Sequence, residues 1–214
     1  MNRTEIYEAA RARWIELQPL ALPLKEYVVL WGGSRGQIVV DAGRGTPQGY
    51  ASCTHSEGTN HGYLVTKGRP DVIDRIAEVQ GWPEYAEALK LINDQATLLE
   101  TIGCEKNFNE VEQDDSRYAF GARIFLGSYT DITFSDPTLR SDPLNHVRLG
   151  AYIFEKQEAF NNSANVTVAL QPVGNSWNTM LHITNHGHDA NHARVHWGDT
   201  IKEVARSAAS FRLT

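Results

Sequence analysis

The chain has 214 residues, of which 41% are hydrophobic and 21% are charged, and its formal net charge is −6 at pH 7. These ordinary proportions predict a single globular domain over residues 1–214. The acidic balance argues against duplex nucleic acid as a partner, because proteins that bind it carry clustered Lys and Arg. The sequence shows no apolar leader and no run of about 18 apolar residues, so we expect a cytoplasmic protein that does not enter a membrane.

The first part of the chain predicts a helix, a hairpin and a long loop. Apolar residues recur at helical spacing over residues 5–17. Two strand-like runs, 27–31 and 37–41, are joined by a glycine-rich turn. The glycine-rich residues 41–60 read as an irregular loop, and loops of that length are often functional. This loop contributes three of the predicted substrate-binding residues: Arg44, Tyr50 and His55.

The rest of the chain mixes strands and helices without strict alternation. The predicted helices cover residues 70–79, 83–102, 143–160 and 201–211, and the predicted strands cover 61–66, two segments of 117–134 about Gly127 and Ser128, 166–170 and 177–184. The total of about five helices and about eight strands favours an α+β fold, with the helices packed on a mostly antiparallel sheet.

Histidine is concentrated near the C-terminus. Five of the eight histidines lie within residues 182–196. Polar residues alternate with apolar ones on both sides of a turn-like centre at Asp189. This alternation predicts an antiparallel hairpin in which His182 lies opposite His196, Thr184 opposite Arg194, and His186 opposite His192.

The predicted hairpin would gather several chemically useful groups on one face. Directly opposed residues have Cβ atoms roughly 5 Å apart. Imidazole exchanges its proton near neutral pH, so His182 and His196 are the predicted catalytic acid and base. Thr184 and Arg194 are the predicted anion-binding residues, because a hydroxyl and a guanidinium both donate hydrogen bonds to phosphate.

Two other interpretations of the histidines stay open. His186, His188 and His192 around one loop could hold a divalent metal such as zinc, since neutral imidazole is a common ligand. The polar face could also be solvated and have no function.

One short motif resembles a known family. His182-Ile183-Thr184 is similar to the His-x-Thr motif of the 2H phosphoesterases, which place two such motifs on neighbouring strands to cleave phosphodiesters. The chain has no second His-x-Thr, and Arg194-Val195-His196 is the segment that could take the second position. The resemblance covers three residues and implies phosphodiester chemistry at His182.

These observations predict a small intracellular hydrolase, specifically a phosphodiesterase for a nucleotide-like or other phosphorylated small molecule. The alternative is a non-catalytic binding module, such as an inhibitor, an immunity protein or a small-molecule-binding protein, that uses its glycine-rich and aromatic loops for recognition.

Overall fold

A computed structural model of the chain describes residues 27–28, 35–40, 64–110, 122–156, 164–173 and 176–213. The six strands in these ranges are β1 (Tyr27–Val28), β2 (Arg35–Val40), β3 (Leu99–Glu110), β4 (Ile124–Phe134), β5 (Asn165–Val173) and β6 (Ser176–Gly187). The same ranges contain five α-helices, α1 (Pro70–Ile73), α2 (Pro83–Ile92), α3 (Pro137–Ser141), α4 (Pro143–Glu155) and α5 (Ala190–Ser210), and a 3₁₀ turn at Ala77–Val79.

The strands form one sheet in the order β1-β2-β5-β6-β4-β3. Only β2 and β5 pair in parallel, and the other neighbours are antiparallel. The predicted α+β fold with a mostly antiparallel sheet is therefore confirmed. No helix within the described ranges combines the length and the apolar character that crossing a bilayer requires.

The two faces of the sheet differ in chemistry because side chains alternate along each strand. Leu181 and Ile183 of β6, with Leu126 and Ile132 of β4, point to one side and are almost fully buried in the hydrophobic core. We call this side the helix face. The intervening residues point to the opposite side, which we call the polar face.

Helix α5 fixes the helix face to the centre of the sheet. Trp197 is fully buried, and its indole nitrogen donates a hydrogen bond to the Ser128 hydroxyl of β4 at 2.7 Å. Asn185 of β6 donates to the Thr200 hydroxyl at 3.0 Å. The Tyr85 ring of α2 meets the Trp197 ring edge to face at 5.1 Å. The position of α5 therefore identifies which strand residues face the core.

The predicted helix over 83–102 is too long. Helix α2 begins at Pro83, a residue suited to the first helical turn, and ends at Ile92. The Lys67 ammonium then donates to the carbonyl oxygens of Asp94 and Leu99 at 2.7 Å, which satisfies backbone groups of the turn that follows. Gly103, the predicted helix stop, lies where the β3 register shifts.

Some of the other predicted strands and helices are confirmed, and others have different bounds in the structure. The strands at 166–170 and 177–184 are confirmed within β5 and β6, and β1 and β2 confirm the described parts of the first hairpin. The two strands predicted about Gly127 and Ser128 are one strand, and residues 64–66 are not in a strand. Helix α4 stops at Glu155, and 70–79 divides into α1 and the 3₁₀ turn. The predicted helix over 5–17 and the loop over 41–60 lie outside the described residues.

Candidate functional site

The histidine-rich stretch is a strand followed by a helix, so the predicted hairpin is wrong. Strand β6 continues to Gly187, and α5 begins at Ala190. Asp189 is the N-cap of α5, and its carboxylate accepts a hydrogen bond from the His192 backbone N–H at 2.8 Å. A Cβ on Gly187 would lie 2.3 Å from the Ala193 backbone nitrogen. Glycine therefore lets the end of the strand pass directly against the first turn of the helix.

The predicted pairing of His182 with His196 is also wrong. His182 lies on the polar face, where the register places it between Tyr129 of β4 and Thr167 of β5. His196 belongs to α5, which packs on the helix face. Because the sheet separates these two imidazoles, they cannot serve as acid and base at one bond.

Arg194 is not available to Thr184 either. Its guanidinium donates to the Glu84 carboxylate at 3.1 Å and to the Gly81 carbonyl at 2.7 Å, and it lies 4.4 Å above the Trp82 ring. These contacts hold Arg194 against α2 on the helix side, whereas Thr184 lies on the polar face. The predicted anion-binding pair is therefore not assembled.

Three of the histidines form a row at the start of α5, which we call the histidine ladder: His188, His192 and His196. The His188 and His192 rings stack at 5.3 Å with 16° between their planes, and the His192 and His196 rings are 4.1 Å apart. Burial lowers the pKa of His196, and the neighbouring His192 lowers it further. The surroundings of His196 therefore favour its neutral form.

The predicted metal group of His186, His188 and His192 is divided between two places. The His186 ring lies 5.9 Å from Phe125 on the polar face, whereas the other two belong to the ladder. Across the described ranges, no group of three or more His, Cys, Asp or Glu side chains is placed to hold a metal ion. The geometry gives the predicted zinc site no support.

A different constellation lies on the polar face around Gly127. This glycine is paired with Thr184 of β6 on one side and with Asn107 of β3 on the other. Among described atoms, the Thr184 hydroxyl oxygen would be 3.8 Å and the Asn107 amide oxygen 3.7 Å from a Cβ built on Gly127. The missing side chain thus leaves a depression with a hydroxyl and an amide at its sides. We call it the Gly127 hollow.

Two pairs of rings border the Gly127 hollow along the strands. Tyr129 and His182 are register partners at one end, with ring centroids 6.3 Å apart. Phe125 and His186 are register partners at the other end, 5.9 Å apart. The side chains of Phe125, His182, Thr184 and His186 are half-buried rather than sealed in the core. Tyr129 is buried in a small cluster with Ala169 and Met180, so the half-buried groups at the hollow are the two imidazoles, the Thr184 hydroxyl and the Phe125 ring.

Two carboxylates lie near the hollow on the polar face, and the register places Arg35 farther away on the same face, beside Asn165 of β5. Glu105 is the register partner of Tyr129, and Asp131 follows Tyr129 by two positions on the same face. Glu105 is exposed, and Asp131 is buried. Because the carboxylates lie nearer the hollow than Arg35 does, the immediate surroundings suit an uncharged ligand better than an anionic one.

His146 and Cys104 are structural residues. The His146 ring is fully buried and hydrogen-bonds to the Thr179 hydroxyl at 2.8 Å and to the Arg140 carbonyl at 3.2 Å. Burial lowers the pKa of His146 to about 4, so the ring is neutral at physiological pH. Burial also raises the pKa of the free Cys104 thiol, which makes it a poor nucleophile.

The sequence pattern indicates only part of this constellation. The alternation in β6 correctly places His182, Thr184 and His186 on one face. The pattern does not predict Phe125, Gly127 and Tyr129 as site residues. Gly127 followed by Ser128 predicts a turn, whereas both residues lie in the middle of β4. The period-two spacing of Phe125, Gly127 and Tyr129 is the signal that could have placed these three residues on one face of a single strand. The predicted loop residues Arg44, Tyr50 and His55 lie outside the described residues.

Comparisons with known proteins add no relative. No family model, curated protein or solved structure matches this chain.

Proposed function

We propose that this protein is a small hydrolase whose substrate binds in the Gly127 hollow and whose proton-transfer group is His182. The observation that carries the proposal is the depression at Gly127, with the Tyr129 and His182 pair at one end and the Thr184 hydroxyl at its side. An accessible depression with a few convergent polar groups is the usual form of a small-molecule site.

The chemistry follows from the groups that surround the hollow. The His182 imidazole takes a proton from an attacking water molecule and returns it to the leaving group, which is the common use of histidine in hydrolysis. Thr184, directly opposite Gly127, donates a hydrogen bond to the oxygen that gains negative charge. The half-buried Phe125 supplies aromatic surface for a planar part of the substrate, and the buried Tyr129 ring supports His182 from the side.

Charge favours an uncharged reacting group. Glu105 and Asp131 lie on this face, and Arg194 is bound to Glu84 on the opposite side. A carboxylic ester or amide with a planar, hydrogen-bonding substituent fits these surroundings better than a phosphodiester. The geometry therefore favours hydrolysis but not the phosphate specificity that the His-x-Thr resemblance implies.

The test is turnover on a panel of chromogenic substrates: p-nitrophenyl acetate, p-nitrophenyl phosphate and bis(p-nitrophenyl) phosphate. Exposed imidazoles hydrolyse activated esters slowly and without saturation, so the relevant signal is the saturable rate. We expect saturable hydrolysis of the carboxylic ester, and we expect His182→Gln to lower kcat by about 10²-fold to 10⁴-fold, the usual contribution of a general acid or base.

His192→Gln is the matched control, because it removes another half-buried imidazole that lies outside the hollow. It should leave the saturable rate within about twofold, as expected for a group that is not part of the transition state. Circular dichroism verifies that both variants are folded. Saturable turnover that survives His182→Gln, or that disappears in His192→Gln, would contradict the proposal. Binding without saturable turnover in the wild type would support the binding-module alternative.

A further inference from the structure

The Gly127 hollow presents two different hydrogen-bonding side chains from opposite sides. Thr184 of β6 and Asn107 of β3 are the register partners of Gly127, so they flank it from the two neighbouring strands. The Thr184 hydroxyl oxygen and the Asn107 amide oxygen are nearly equidistant, at 3.8 and 3.7 Å, from a Cβ built on Gly127. A ligand that lies over Gly127 is therefore placed between these two oxygens.

Both side chains are open to a ligand in the hollow. Thr184 is half-buried, and Asn107 is exposed. Gly127 has no side chain of its own to separate them, so the ligand can contact both at once. The pair is therefore suited to fix the orientation of a bound group.

The two oxygens differ in the hydrogen bonds that they make. The Asn107 amide oxygen only accepts, whereas the Thr184 hydroxyl can donate. A trans secondary amide carries its C=O and its N–H on opposite edges of one plane. Its carbonyl oxygen can therefore accept from Thr184 while its N–H donates to Asn107. An ester or a ketone has no N–H and would leave the Asn107 oxygen without this partner.

Charge favours the same orientation of the amide. Glu105 precedes Asn107 by two positions in β3, lies on the same face and is exposed. Its negative charge attracts the N–H end of an amide and repels the carbonyl oxygen. The carbonyl oxygen is therefore directed towards β6, where Thr184 lies two positions from His182.

We infer that the Gly127 hollow selects secondary amides over esters and ketones, and that Asn107 determines this specificity by accepting the amide N–H. The inference rests on the proposed function, because it concerns the substrate of the same hollow. Hydrolysis of such an amide adds water to the carbonyl carbon and breaks the C–N bond. The proton that His182 takes from the water passes to the departing nitrogen, so the products are a carboxylic acid and an amine.

The experiment compares two ligands of the same shape, N-methylbenzamide and propiophenone, in which a CH₂ replaces the N–H. Each is titrated into the full chain and followed by proton NMR, which also detects any consumption of the amide. The amide should bind about tenfold more tightly than the ketone, as expected for one additional hydrogen bond.

Variants of Asn107 test whether this residue is the source of the preference. Asn107→Leu should weaken amide binding to the level of the ketone and leave ketone binding unchanged. Asn107→Asp keeps an acceptor oxygen and should keep the preference. Asn109→Leu is the matched control, because Asn109 lies on the same face of β3 but is paired with Phe125 instead of Gly127. It should also keep the preference.

No binding of the amide, equal affinity for the two ligands, or a preference that survives Asn107→Leu or disappears in Asn109→Leu would overturn the inference. Turnover is measured separately on the chromogenic substrates. An amide preference that depends on Asn107, without saturable turnover, would refute the hydrolase and support the amide site. Saturable turnover without an amide preference would support the hydrolase and overturn the specificity inferred for Asn107.

Discussion

The Gly127 hollow and the histidine ladder both contain closely spaced imidazoles, but they offer different chemistry. At the hollow, His182 and His186 are separated by Thr184, and each lies beside an aromatic register partner at one end of the depression. In the ladder, the His188 and His192 rings stack on each other, and the His196 ring contacts His192 at a tilt of 55°. Local density of histidine in a sequence therefore does not identify a site. The decisive property is what each ring faces.

The largest expected effect comes from filling the hollow. Gly127→Val should abolish saturable turnover, because the added side chain occupies the space between Thr184 and Asn107. Its Cβ would meet the nearest described atoms at ordinary contact distances, so the fold should tolerate it. A β-branched residue also suits a strand better than glycine. We therefore expect the free energy of unfolding of Gly127→Val to stay the same or to rise by about 0.5–1 kcal/mol.

Kinetics and urea unfolding of the same Gly127→Val preparation test this prediction. Full turnover in a folded Gly127→Val protein would exclude the hollow as the substrate site. Lost turnover together with a large loss of stability would indicate that Gly127 is needed for the fold instead.

Acid stability should depend on the buried His146 more than on the ladder. The folded-state pKa of His146 is about 4, below the ordinary histidine value of 6.5, so folding favours the neutral ring. Its stabilising contribution is complete above about pH 6.5 and is lost as the pH falls towards about 4, at a total cost of roughly 3 kcal/mol. Urea unfolding between pH 7 and pH 4 measures this loss.

The ladder variant His192→Gln provides the comparison for that titration. It should lose nearly as much stability on acidification as the wild type. A flat stability profile would contradict the role assigned to His146, and a loss that disappears in His192→Gln would show that the ladder controls acid sensitivity.

The smallest expected effect is a pKa change within the ladder. Burial is the main cause of the lowered His196 pKa, and His192 adds a repulsive contribution. His192→Ala should therefore raise the pKa of His196 without restoring the ordinary value, and turnover should not change. Proton NMR titration of the ring C–H signals reports this directly, and an unchanged or lower His196 pKa would show that the two rings are not electrostatically coupled.

The fold class and one edge of the site were predictable from the sequence because they depend on local patterns. Alternation places His182 and Thr184 on one face of β6, and helix-starting prolines mark α2 and α4.

The apolar pattern after Gly187 is compatible with both a strand and a helix. Ala193 and Trp197 are four residues apart, which suits a helix and also an alternating strand. Only the intervening Val195 distinguishes the two structures, and it is 52% exposed.

The other half of the site depends on strand pairing, which local patterns do not specify. Nothing in the sequence states that β6 lies between β4 and β5, so Tyr129 and Gly127 could not be assigned as neighbours of His182 and Thr184. Glycine followed by serine is also a common turn signal. The position of Gly127 and Ser128 inside a long strand follows only from the pairing of β4 with both β3 and β6.

The most direct test of the central claim is an NMR map of the histidine ring signals while small planar amides and esters are titrated into the protein. The account predicts that ligands which inhibit turnover shift the signals of His182 and His186 at saturating concentration and leave those of His188 and His192 unchanged. Inhibitors that shift the ladder signals and leave His182 unaffected would contradict it.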